Sequence, residues 1–289
     1  MISQRISTAM LVGGLAALAT PLQARAQALP SPSALAASLD LECYRTPGPS
    51  LDTPIVLSQL NPVLADLPPQ QVILRELAQT CVPVRKNTSG PAAAAAPFVR
   101  NIDFACYRID APPLAAPVPL SLTHLNPVLA NFPTHGVRLI QGRQLCLPIA
   151  KNDVLPPDPV LQVVRFLDLE CFETEPGAHP TFTLNLTQLN PQLTGIAPHL
   201  MTLGPTPRQM CVPVRKGAQD IPAPVLNLVR WIDLEKFAAT PPVTIAPVPV
   251  VLRHLNPRFV TFPPVPVTLE TANALMLPVA KNGQFPPAD

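Results

Sequence analysis

Charge is scarce in this chain, and so are aromatic rings. Charged residues fill 13% of the 289 positions and aromatic residues 4%, with one tryptophan and two tyrosines. Of the 20 basic residues, Arg5 and Arg25 lie within 1–28, which leaves 18 to balance the 18 acidic ones. A nucleic-acid binder needs a basic excess to displace phosphate counterions. The balance therefore argues against nucleic acid, and against an anionic membrane surface. Several signatures are also missing. There is no Cys-x-x-Cys cluster of the kind zinc sites use, no Gly-x-Ser-x-Gly elbow and no His-Glu-x-x-His helix. No catalytic, cofactor-binding or metal-binding residue is assigned, no cofactor is implied, and a non-enzymatic protein is expected. Apolar runs are too short for the ~20 residues of a membrane span, so no span is expected once the leader is removed.

What the chain has in abundance is proline, at 42 residues, with 47% apolar residues around it. Proline cannot donate to a helix or to a sheet ladder. Recurring through the chain, it disfavours long helices and favours short strands with irregular joins. The N-terminus reads as an export signal over 1–28. Arg5 supplies the positive start, Ala9 to Leu18 the apolar run, and Ala24-Arg25-Ala26 and Ala26-Gln27-Ala28 small-x-small cleavage sites.

Beyond the signal the sequence repeats four times. Each copy opens alike, at Leu39-Asp40-Leu41-Glu42-Cys43-Tyr44, Ile102 to Tyr107, Leu167 to Phe172 and Ile232 to Phe237. A Leu-Asn-Pro follows, with its asparagine at Asn61, Asn126, Asn190 and Asn256. Each copy closes alike, at Cys81-Val82-Pro83-Val84-Arg85-Lys86 and at the segments ending in Lys151, Lys216 and Lys281. Self-similarity at a fixed period is the mark of a repeat architecture. The expected fold is all-β, as four tandem β-rich modules of about four short strands each. The boundaries are 29–38 for an N-terminal extension, then 39–90, 91–155, 156–220 and 221–289 for the four repeats. The first strand alternates, with Leu39, Leu41 and Cys43 on one face and Asp40, Glu42 and Tyr44 on the other. Asn-Pro marks a turn. The proline of the closing segment suggests an edge strand or a bulge. The apolar joins between copies are expected to pack on the modules and fix neighbours together.

Six cysteines form pairs spaced 38, 40 and 40 residues apart. In an exported chain an even count implies bridges. Copy four has lost both of its cysteines together, to Lys236 and Met276. Bridges within copies predict that joint loss, whereas bridges between neighbours would strand Cys211. The assignment is Cys43–Cys81, Cys106–Cys146 and Cys171–Cys211, with the last repeat unbridged. Each bridge is expected to staple a module too small to hold its own core.

The pattern Cys-Tyr, Leu-x-x-Gln/His-Leu, Leu-Cys-x-Pro and Lys-Asn resembles an uncharacterised family of secreted prokaryotic tandem-repeat proteins. The likeness covers residues 39 to 282. It implies a structural repeat and carries over no activity or site. Where that family reads Asp-Gln-Phe, this chain has Ser58-Gln59-Leu60, Thr123-His124-Leu125, Thr187-Gln188-Leu189 and Arg253-His254-Leu255.

The histidines are His124, His135, His179, His199 and His254. His124 and His254 stand where other copies have Gln59 and Gln188, which points to a shared hydrogen-bonding role beside the turn. Asp40, Asp103, Asp168 and Asp233 recur with Lys86, Lys151, Lys216 and Lys281. If the bridged strands are antiparallel, these form exposed ion pairs of about 0–1 kcal/mol. The leading reading is an exported non-enzymatic protein, secreted or periplasmic, that binds a protein or cell-envelope component by presenting repeated surfaces. A secreted protease inhibitor is the alternative, and a hydrolase with its site between modules stands third.

Overall fold

A computed structural model describes residues 28–175 and 180–288, without the side chains of 206–208. The signal over 1–28 falls outside the described residues except for Ala28, and His179 lies outside them too. The described chain is dominated by strands. They are β1 (Leu41–Arg45), β2 (Ser50–Gln59), β3 (Gln70–Lys86), β4 (Asp103–Asp110), β5 (Pro113–His124), β6 (His135–Lys151), β7 (Leu169–Glu175), β8 (Phe182–Gln188), β9 (His199–Lys216), β10 (Leu234–His254) and β11 (Val265–Lys281). Four short helices accompany them: α1 (Pro32–Ala37), α2 (Ala96–Val99), α3 (Asp158–Val164) and α4 (Ala223–Val229).

The strands are longer than the prolines suggest. Instead of about four short strands per copy, the stretch from the Asn-Pro turn to the closing lysine forms one long strand in each, β3, β6, β9 and β11. The reason lies in where the closing proline sits. On one side β3 pairs with β4 as far as Cys81–Phe104 and with β8 from Val84–Gln188 onward. Pro83 falls at that change of neighbour, where no ladder bond is required of its missing N–H. Its carbonyl accepts from Leu189 N. Pro148, Pro213 and Pro278 receive the same kind of bond from Leu255, Leu60 and Leu125.

All pairings are antiparallel, and eight strands close into a circuit. β1 pairs β3, β3 pairs β4, β4 pairs β6, β6 pairs β7, β7 pairs β9, β9 pairs β10, β10 pairs β11, and β11 returns to β1. Each copy supplies two neighbours to this barrel. The remaining strands form an outer layer that crosses between copies. β2 runs along β3 and ends on β9 of copy three, while β8 runs along β9 and ends on β3 of copy one. Copies two and four exchange β5 and late β10 in the same way. The strands thus form one sheet shared by all four copies, rather than one sheet per copy.

This weave buries both faces of the first strands. Leu41 and Cys43 face the barrel interior, where they join Phe98, Val99, Val160, Val164 and Val229 from the helical joins in one apolar cluster. The joins pack as expected, although as helices. Tyr44 and its counterpart Tyr107 point outward yet are also buried, beneath the outer layer. The three bridges are Cys43–Cys81, Cys106–Cys146 and Cys171–Cys211, each between directly opposed residues.

Candidate functional site

Three polar constellations are built on the barrel, and the first closes it. Lys86, Lys151, Lys216 and Lys281 pair with Asp40, Asp103, Asp168 and Asp233 of their own copies. The pairs are not exposed as the strand alternation suggested; every one is buried, because the outer layer and the turns cover that face. Burial opposes the charge on both partners, raising the pKa of each aspartate and lowering that of each lysine, while the mutual attraction works the other way. The asparagine of each Leu-Asn-Pro completes the arrangement. Its Oδ1 accepts from the backbone two residues on, capping the turn. Its Nδ2 donates to the aspartate of the preceding copy: Asn126 to Asp40 at 3.1 Å, Asn190 to Asp103 at 2.8 Å and Asn256 to Asp168 at 3.0 Å. Asn61 reaches Asp233 at 2.6 Å and so joins copy one back to copy four.

The second constellation lies inside the barrel. Gln79, Gln144 and Gln209 each stand two residues before the second cysteine of their copies. Lys236 occupies the position of the first cysteine in copy four. Its Nζ donates to the Oε1 atoms of Gln79, Gln144 and Gln209 at 2.5, 2.7 and 3.0 Å. An ammonium has three N–H groups, and three neutral carbonyls match them. Gln79 in turn donates to Asn273 Oδ1 at 2.7 Å. Lys236, 4% exposed, forms with these amides the floor of a cavity of about 570 Å³. Arg45, Arg108, Arg143 and Glu173 line its walls. Arg143 is tied to Glu173 through Nη2 at 2.5 Å, and Arg108 Nε lies 3.2 Å from Glu76. Among the described residues the lining carries four cationic side chains and one anionic one.

The third constellation is a set of buried groups where the outer layer crosses the barrel. Glu42 accepts from Tyr44 Oη at 2.8 Å, from Gln188 Nε2 at 2.7 Å and, through its other oxygen, lies 2.7 Å from His199 Nε2. That contact raises the His199 pKa. Glu170, the counterpart of Glu42 in copy three, receives Gln59 Nε2 at 2.9 Å, and its Oε1 has no hydrogen-bond partner among the described residues. Burial pushes its pKa up to about 8. A side chain at Gly142 would collide with Glu170 Oε1, so glycine there makes the room. In copy two the carboxylate is replaced by Ala105, and Tyr107 Oη lies 2.9 Å from His254 Nε2. Burial, with a smaller contribution from Lys216, lowers the His254 pKa to about 4. At the fourth crossing His135 and His124 surround Glu235.

The sequence reading paired the lysines and aspartates correctly and placed the cysteines in their bridges. It treated Lys236 only as a lost cysteine and did not single out the glutamines. Their equal spacing before the cysteines was the available signal; that these three positions converge with Lys236 on one axis follows only from barrel closure. Comparison of the chain with protein families, curated proteins and solved structures finds no match. Among the described residues no helix is long and apolar enough to cross a membrane.

Proposed function

We propose that this is an exported, non-enzymatic binding protein that takes a small anionic ligand into the open end of its barrel. The observation that carries the reading is the axial Lys236, held by three uncharged amides beneath three arginines. These three acceptors are neutral, so they match the geometry of an ammonium and none of them cancels its charge. A carboxylate or phosphate-like group entering the cavity would meet that field together with the arginine forks, which suit planar or tetrahedral oxyanions. The cavity volume falls within the ~300–1,000 Å³ range of small-molecule sites. With all three N–H groups of Lys236 engaged, a binding role is favoured over a nucleophilic one. Barrel closure favours one axial site, to which every copy contributes wall, over four repeated surfaces. The three bridges and the leader-like start support export, since such bridges persist in oxidising compartments.

The test is calorimetric titration of the mature chain with a panel of di- and tricarboxylates, phosphate and sulfate at low and high salt. At least one anion should bind with a salt-sensitive affinity. Changing Arg45, Arg108 and Arg143 together to Gln should weaken it by more than about tenfold, since charge-assisted hydrogen bonds contribute roughly 1.5–3 kcal/mol each. A panel without a binder, or binding indifferent to the triple variant, sinks the reading.

A further inference from the structure

We propose that His124, His135 and Glu235 form a binding site for a divalent transition-metal ion, with zinc the best match to their chemistry. The site is separate from the axial cavity and does not depend on that reading. His124 ends β5, His135 opens β6, and Glu235 lies near the start of β10, so copies two and four meet here. The three groups offer ligand atoms within 4.8 Å of one another. His135 Nε2 lies 2.9 Å from Glu235 Oε1, and His124 Nε2 lies 3.5 Å from Glu235 Oε2. Ligands about 2.0–2.1 Å from a tetrahedral zinc are roughly 3.3 Å apart. The two separations bracket that spacing, so small side-chain shifts suffice. Two imidazoles and one carboxylate would leave one position open, the ligand count of zinc sites that keep an exchangeable group.

The orientation of His135 supports the assignment. Its Nδ1 lies 3.3 Å from Pro133 O, a carbonyl that can only accept. The Nδ1 proton therefore points at Pro133, and Nε2 is the nitrogen turned to Glu235. Backbone carbonyls fix metal-ligating imidazoles in this way. A neutral imidazole so held would aim a lone pair at a carboxylate, which requires either a proton or a cation between them.

The repeat supplies the comparison that separates these two. At the Glu42 crossing one imidazole suffices: His199 has the same arrangement, with Nδ1 3.1 Å from Ala197 O, and Gln188 and Tyr44 complete the shell as donors. At the Glu235 crossing Gln188 is replaced by His124 and Tyr44 by Phe237. A neutral amide donor becomes a second imidazole, and the hydroxyl donor disappears. A divalent ion satisfies both nitrogens and the carboxylate at once. Of the four crossings, this one alone combines two imidazoles with a carboxylate among the described residues.

The experiment uses the full mature chain, freed of metal with a chelator, then titrated with zinc by calorimetry and with cobalt(II) by visible absorption. One equivalent should bind, with cobalt bands of a low-coordinate nitrogen and oxygen site. His124→Gln and His135→Gln copy residues that other repeats carry at these positions, Gln59 and Gln70, so the barrel should still form; circular dichroism of the metal-free variants checks this. Each should weaken zinc by more than roughly 100-fold, beyond the 10–100-fold that losing an outer-shell partner costs. His199→Gln makes the same chemical change at the Glu42 crossing and should leave zinc affinity unaltered. The proposal is overturned by less than a tenth of an equivalent bound to the wild-type chain, by binding that survives both His→Gln changes together, or by an equal loss in the His199 variant.

Discussion

Copy four and the three bridged copies have the same fold but different contents. In the bridged copies, two directly opposed residues on the first strand and the long strand are joined through sulfur. In copy four the equivalent residues, Lys236 and Met276, oppose one another in the same register. The Asp233–Lys281 pair, the link from Asn61 and the join α4 are all in place there. The barrel closes through this copy, on one side to β9 and on the other to β1. Copy four thus keeps the same pairing without a bridge of its own. The expectation that small modules require one assumed that each had its own core. The core is shared, and what the bridge position decides is what occupies the axis: disulfides from three sides, an ammonium from the fourth.

The largest effect should come from what all four copies share. Asp103→Asn in a bridged copy and Asp233→Asn in the unbridged one each leave a buried lysine uncompensated, which costs about 3–5 kcal/mol. Urea unfolding should show similar losses for both. Adding Lys151→Met to Asp103→Asn removes the orphaned charge and should recover most of the deficit. A loss confined to Asp233→Asn would mean that the bridges, rather than the aspartate nodes, hold the other copies.

A smaller effect should follow from erasing the difference itself. Lys236→Cys with Met276→Cys installs a fourth bridge across the same 40-residue separation as Cys106–Cys146. Chain entropy gives at most roughly 4 kcal/mol for such a loop. Three glutamine carbonyls lose their common donor, but they line the open cavity, where water takes its place, so the total offset is about 1–3 kcal/mol. Net stabilisation of about 1–3 kcal/mol, abolished by reductant, is expected in thermal melts, together with loss of anion binding. Binding that persists would place the anion elsewhere.

How far the sequence could be read depended on the range of each interaction. Strand alternation, the turn at Asn-Pro and the in-copy bridges rest on residues close in sequence or lost together, and they were legible. The Asp–Lys pairs were legible as pairs but not as buried ones, because their cover comes from strands of other copies. The bonds from Asn61 to Asp233 and from Gln188 to Glu42 span 172 and 146 residues. Nothing in a single copy announces them. Likewise Lys236 looks like a simple loss until closure brings Gln79, Gln144 and Gln209 to the same axis.

The crossings sharpen the comparison in its weakest form, through pH. Glu170 has an ordinary carboxylate reference of 4.5 and a folded value raised to about 8 by burial. The folded state therefore holds a proton that the unfolded state has released. The stability from this group is complete below pH 4.5 and is lost as pH rises towards 8. His254 behaves oppositely: its folded value is lowered from 6.5 to about 4, so its contribution is complete above 6.5 and is lost as pH falls towards 4. Stability should peak between these flanks. Glu170→Gln keeps an acceptor for Gln59 and carries no titrating proton. Between pH 5 and 7 the stability of the wild-type chain relative to the variant should fall by roughly 2 kcal/mol, the His254 contribution being common to both. Parallel stability curves for the two, from urea melts at each pH, would mean that Glu170 is ionised in the folded barrel and that the space beside Gly142 admits water.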